Sequence, residues 1–307
     1  MSPSDPDRRD PLSPPDHLSL PEPEAVASSG GVTVATYDLG GVGRDVVMVH
    51  ATGFCGGVWL PLVRSLGGVR VVVLDVRGHG RSTVPADGMD WHGTADDVLA
   101  VVERFGLVDP VGVGHSMGGA SLVLAEQACP GTFAGIWAFE PIIFPPELLA
   151  SAGDGANPLA EGARRRRAEF PSAAAAIENY SAKPPLAALA PAALAAYVAY
   201  GFEERPDGSV HLRCPPEVEA ATYEMGGRHD GFVRLGEVRC PTVVARGTAA
   251  FGGPAMFAPA VAAALAHGEL EEHPALGHFG PLEDPVAMAA SVRALVDRVG
   301  GPAAGAD

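Results

Sequence analysis

The sharpest chemical signal in the chain is nine residues long. Positions 112–120 read GVGHSMGGA, so that Gly114-His115-Ser116-Met117-Gly118 fits the pattern G-x-S-x-G. An apolar, β-branched run precedes it, and "GGASLVLAEQAC", a helix-like run, follows. Strand, turn and helix in that order predict a strained elbow that presents the Ser116 hydroxyl as a nucleophile. The glycines have a steric purpose, because side chains two residues to either side of the serine would collide in so sharp a turn. A hydroxyl alone is a weak nucleophile and needs a base to take its proton, and ten histidines compete for that role. The plainer reading is a tight packing turn in which Ser116 only caps the helix.

A second signal is a single carboxylate in an apolar setting. In "GIWAFEPIIFPPE" (135–147), Glu140 falls at the end of a buried-strand pattern. Catalytic groups in open α/β sheets gather at the carboxyl ends of strands. A carboxylate buried there without a partner would be costly, so a partner is expected. The alternatives are a hinge Glu paired with an arginine of a neighbouring segment, and Asp230 in "GRHDGF" as the acid instead.

Those residues need a scaffold, and the hydrophobic pattern supplies one. Apolar, β-branched runs at 31–39, 45–50, 69–76, 110–116, 135–141, 242–246 and 268–274 read as strands. Helical patterns lie between them, among them 94–106, with acidic residues in its first turn, and 285–300, opened by Pro285. Continuous apolar strands alternating with amphipathic helices predict an α/β fold with a mostly parallel central sheet and helices on both faces. About 100 residues between Pro141 and Thr242 break the alternation, and a stretch that long cannot be a simple loop. It reads as an inserted helical cap at 145–235, with "GSVHLRC" (208–214) as a lone extended segment. The core is then expected at 29–144 and 236–300. Pro- and Asp-rich residues 1–28 read as a disordered tail, and 301–307 as a loose end.

With these motifs in order, residues 31–300 resemble the α/β-hydrolase family. "VMVHATGFCGGVW" (47–59) is similar to its His-Gly loop, "LDVRGHGRS" (74–82) to its D-x-R-G-x-G-x-S signature, and "ALGHFGPLEDP" (275–285) to its catalytic-histidine loop. The resemblance implies that His278 is the base. It implies structural roles for His50 and His79, while His115 is expected to point away from the serine hydroxyl. It implies an oxyanion hole built from the amides of Met117 and of Thr52, with Gly53 as the other possible donor, since this chain has Ala51 where relatives carry glycine. The family's usual acid position, the loop after "TVVAR", is vacant: residues 247–253 are GTAAFGG. A subset of haloalkane dehalogenases and certain lactonases take the acid from the loop after the strand that follows the nucleophile helix, which points to Glu140. Dehalogenase and epoxide-hydrolase chemistry is disfavoured, because those relatives use an aspartate where this chain has Ser116.

The expected activity is therefore hydrolysis of a carboxylic ester or lactone through an acyl-enzyme. A carbon–carbon bond hydrolase uses similar parts and stays open, as does a non-catalytic ligand-binding protein on the same fold. Phe144, Leu148, Tyr180, Tyr197, Tyr200, Phe202 and Tyr223 are the expected pocket liners, for an apolar small-molecule substrate. A net charge of −16 on 307 residues argues against nucleic acid and against an anionic membrane surface. The basic run Arg164–Arg167 reads as a solvated helix face. No signal-peptide-like or membrane-spanning run is evident, so a cytoplasmic location is expected. Four cysteines without CxxC spacing suggest neither zinc nor a disulfide framework, and no metal or dinucleotide cofactor is expected.

Overall fold

A computed structural model describes residues 19–147, 157–249 and 252–300. Its centre is an eight-stranded sheet. The strands are β1 (Glu24–Ala27), β2 (Thr33–Gly41), β3 (Arg44–Val49), β4 (Val69–Leu74), β5 (Val111–His115), β6 (Gly135–Phe139), β10 (Thr242–Gly247) and β11 (Gly268–His273). They lie in the order β1-β2-β4-β3-β5-β6-β10-β11. The pairs β1–β2 and β2–β4 are antiparallel, and every other pair is parallel.

The strand sequences explain why both faces are covered. Along β3, Val46 and Met48 enter one core while Val47 and Val49 enter the other, and Val71/Val73 and Val72/Leu74 of β4 divide the same way. Each such side chain taken fully out of water contributes roughly 1.5–3 kcal/mol. Helices α2 (Trp91–Arg104) and α3 (Met117–Ala128) cover the second face, and α1 (Leu60–Leu66) and α10 (Pro285–Val299) the first. In α10, Met288, Ala289, Val292, Leu295 and Val296 are buried, the spacing of one helical stripe. Asp284 caps its first turn by accepting from Ala287 N–H. Helix α2 starts three residues before the expected Thr94, because Asp90 accepts from Gly93 N–H and Trp91 is already buried.

The inserted segment between β6 and β10 departs from the expectation of helices alone. It holds α4 (Pro158–Arg164), α5 (Ala173–Ser181), α6 (Pro191–Gly201) and α7 (Pro216–Met225). It also holds a small antiparallel sheet of β7 (Glu169–Phe170), β9 (Val210–Leu212) and β8 (Phe202–Glu204). The extended segment at 208–214 is therefore not alone, since its residues 210–212 form the middle strand of three. The basic run is not a free helix face either. Arg164 pairs with Glu217 and Glu224 of α7, and Arg166 is tucked against Glu219, Tyr180 and Tyr197.

The expected tail at 1–28 also needs correction. Glu24–Ala27 is a strand on β2, tied down by Ser28 donating to Asp97 and by an Arg81–Glu22 pair. Residues 1–18 and 301–307, and the expected liner Leu148, lie outside the described residues.

Candidate active site

The strand order sets where the site forms. Strand β3 has β4 on one side and β5 on the other, so the chain leaves the two central strands in opposite directions. Such a reversal opens a crevice at the carboxyl ends of the strands. The loop carrying Thr52 leaves β3 there, and Ser116 sits at the end of β5.

Ser116 occupies the elbow between β5 and α3 with φ 54° and ψ −112°, a conformation an L-residue holds only under constraint. The constraints are visible. Its N–H donates to Phe139 O at 2.9 Å, and its carbonyl accepts from Ala120 N–H and Ile142 N–H. A Cβ on Gly114 would lie 2.6 Å from Gly118 backbone atoms, and one on Gly118 would lie 2.1 Å from Val49 O. The second contact presses the start of α3 against the end of β3, which brings the amide of Met117 beside the loop that carries Thr52. Among the described residues, neither the Met117 nor the Thr52 N–H has a hydrogen-bond acceptor. Thr52 lines the same cavity as Ser116, whereas Gly53 lines only an adjoining one.

His278 reaches that cavity from the loop after β11. Its Nδ1–H donates to Glu140 Oε2 at 2.6 Å, and among the described residues Nε2 has no hydrogen-bond partner. Glu140 also has positive φ (45°) and is 1% exposed. Its second oxygen, Oε1, accepts from Gly247 N–H at 2.9 Å. Its own N–H donates to Ala245 O. The carboxylate is thus buried, accepting on both oxygens, and next to one imidazole. Asp230 sits elsewhere: it is half exposed and its partner is Arg234, at 3.6 Å. The hinge-arginine alternative for Glu140 has no counterpart among the described residues.

Three further histidines near this edge, His50, His79 and His115, hold backbone in place. His50 donates from Nδ1 to Ala51 O and accepts at Nε2 from Val76 N–H, which fixes the start of the Thr52 loop. Burial lowers its pKa to about 4. His79 donates to Arg77 O, and burial, aided by the charge of nearby His50, brings it down to about 3. His115 turns away from the cavity and donates from Nε2 to His278 O at 2.7 Å. Burial first, and the neighbouring His278 second, push it well below the usual histidine range. The sequence did not reveal that His115 holds the loop of His278, because the contact spans 163 residues.

The cavity holds about 540 Å³. Of the expected liners, Phe144 and Tyr223 reach it, whereas Tyr180 and Tyr197 line the adjoining cavity. Tyr200 packs over Gly57, and Phe202 is buried against Phe170 and Tyr180. Trp91, Ile142 and Phe257 are liners that no pattern signalled. Among the described residues, no group of three or more His, Cys, Asp or Glu is placed to hold a metal ion, and no helix is long and apolar enough to cross a membrane.

Comparison with known proteins agrees with this architecture. No curated protein matches the chain in sequence. Among solved structures, E-2-(acetamidomethylene)succinate hydrolase superposes with a TM-score of 0.74 at 19% identity, covering 89% of this chain and 98% of that one. A thermophilic esterase from Thermogutta terrifontis gives 0.66 at 23% identity, covering 92% and 100%. The enol-lactonase from Burkholderia xenovorans gives 0.65 at 18%, covering 89% and 99%. At these identities the likeness is one of fold. The pattern of the alpha/beta hydrolase family matches residues 46–291, and the chain belongs to that family.

Proposed function

We propose that the protein is a serine hydrolase of carboxylic esters or lactones, with Ser116 as nucleophile, His278 as base and Glu140 as the acid that orients it. The observation that carries this reading is the 2.6 Å contact between Glu140 and His278 Nδ1 at the edge of the cavity that Ser116 lines. With Nδ1–H given to the carboxylate, Nε2 carries the lone pair that can accept the serine proton. Ser116 Oγ then attacks the carbonyl carbon, and negative charge collects on the carbonyl oxygen. The amides of Met117 and Thr52 receive that charge. The imidazolium of His278 returns its proton to the leaving alcohol oxygen, and the acyl-enzyme remains. Water, deprotonated by His278, attacks the acyl carbon, and the acid leaves as Ser116 recovers its proton. Throughout, buried Glu140 stabilises the positive charge on the ring. The esterase and lactonase among the structural relatives lend the reading support at the level of the fold. The apolar wall of Trp91, Ile142, Phe144 and Phe257 suits an apolar group next to the scissile bond.

A fluorophosphonate probe tests the assignment directly. The wild-type protein should label at Ser116 and the Ser116→Ala variant should not. Absence of labelling in wild type, or equal labelling of both, would sink the serine-hydrolase reading and favour a silent ligand-binding protein.

A further inference from the structure

The cavity that adjoins the catalytic one has a different character. It holds about 560 Å³, and Thr52, Leu159, Pro185, Tyr223 and Phe279 belong to the walls of both, so the two form one cleft. Four cations line the adjoining part: Arg165, Arg166, Arg167 and Lys183. Among the described residues its one acidic liner is Glu219, and Arg166 already pairs with it. Arg166 is used up as floor, since its guanidinium also donates to Tyr180 and Tyr197.

The remaining cations are not used up. Arg167 spends its Nε–H on Glu169 O and lays its guanidinium over the Phe170 ring at 4.6 Å, which leaves both terminal nitrogens unengaged. Lys183 gives one proton to Asn179 Oδ1 and keeps two. Among the described residues neither Arg167 nor Lys183 has an ion-pair partner. Arg165 has only an exposed pairing with Glu161 at 3.6 Å. A chain carrying a net charge of −16 thus gathers three weakly compensated positive charges around one hollow beside its candidate nucleophile. Field lines concentrate in such a hollow, and anions are drawn into it.

We propose that this hollow receives an anionic group, a carboxylate or a phosphate, that the substrate carries away from its scissile carbonyl, with Arg167 and Lys183 as its principal contacts. The proposal rests on the serine-hydrolase reading for what happens next, and it deepens that reading. The substrate class is an ester or lactone with an apolar segment beside the reacting carbon and a negative end.

Calorimetry on full-length Ser116→Ala protein tests it, with monomethyl dicarboxylates from glutarate to sebacate, each against its dimethyl ester. At one chain length or more the half-ester should bind about tenfold tighter than the diester, the scale of one charge-assisted contact. Added salt should erode that preference. The double variant Arg167→Gln/Lys183→Gln, at exposed positions, should abolish it. Equal affinity for half-ester and diester at every length, or a preference that survives the double variant, overturns the proposal. Methyl esters ending in phosphate, at the same lengths, distinguish the two sources, because the tighter series names the group. Turnover of a neutral 4-nitrophenyl ester by the unmodified protein reports separately on hydrolysis. A protein that hydrolyses that ester but shows no half-ester preference lacks the anion site alone. One that shows the preference but neither turns over that ester nor labels with the fluorophosphonate keeps the anion site and loses the hydrolase reading.

Discussion

Two loops leave the carboxyl edge of the sheet side by side, one after β6 and one after β10, and they divide one task between them. The first supplies charge: Glu140, buried, on a positive-φ residue. The second contains no acid in 247–253, yet it is not idle. Gly247 N–H donates to Glu140 Oε1 and so holds the carboxylate that its own loop lacks. A Cβ on Gly247 would meet Leu276 O at 2.3 Å and Gly277 O at 2.5 Å, so this glycine also lets the loop of His278 pass close by. On the proposed assignment of Glu140 as the acid, the loop after β10 is therefore not a neutral vacancy but part of that acid's seat.

The largest test of this division is Glu140→Gln. The amide keeps the shape but donates where an acceptor is needed, and kcat should fall on the order of 10³–10⁴-fold, as for loss of a triad acid. Steady-state kinetics on a 4-nitrophenyl ester, with circular dichroism to verify folding, decide it. Near-wild-type turnover would mean that the charge comes from elsewhere. Gly247→Ala comes next. Its methyl group collides with backbone of the His278 loop, so a stability loss of about 1–3 kcal/mol and a roughly tenfold drop in kcat are expected. A variant that is destabilised but fully active would show that the second loop only packs. Asp230→Asn should do least. An exposed pair at 3.6 Å contributes little, so both the denaturation midpoint and kcat should stay within error. A collapse of activity there, with Glu140→Gln active, would reverse the comparison.

How much of this could be read from the chain follows from the range of each interaction. The elbow is a local object in sequence: Gly114, Ser116 and Gly118 lie within five residues, and the clash that demands glycine at 114 is local, whereas that at 118 is with Val49 and His50 at the end of β3. Seven of the eight strands of the main sheet were nearly as legible, because central ones such as β3 and β4 are apolar, valine-rich runs. Glu140 could be singled out because one carboxylate in an apolar run demands a partner. Three features were hidden. β7 has two residues and β8 and β9 three each, too short for a period to register. β1 lies in a Pro- and Glu-rich stretch, and only pairing with β2 makes it a strand. The arginine run looked like solvated surface, because the acids that hold Arg164 and Arg166 arrive more than 50 residues later, in α7.

The three interior imidazoles, finally, set an acid limit on the fold. His50, His79 and His115 are neutral in the native protein because burial penalises their charge, whereas in an unfolded chain each titrates near the ordinary value of about 6.5. Below that pH the unfolded state takes up protons that the native state refuses. Stability must therefore drop as pH falls, by up to about 1.4 kcal/mol per pH unit for each ring, and must be flat above neutrality as far as these groups are concerned. For His50 the loss runs from about 6.5 down to about 4. Urea midpoints measured from pH 8 to pH 5 should hold level and then decline, and a level profile throughout would contradict the neutral assignment.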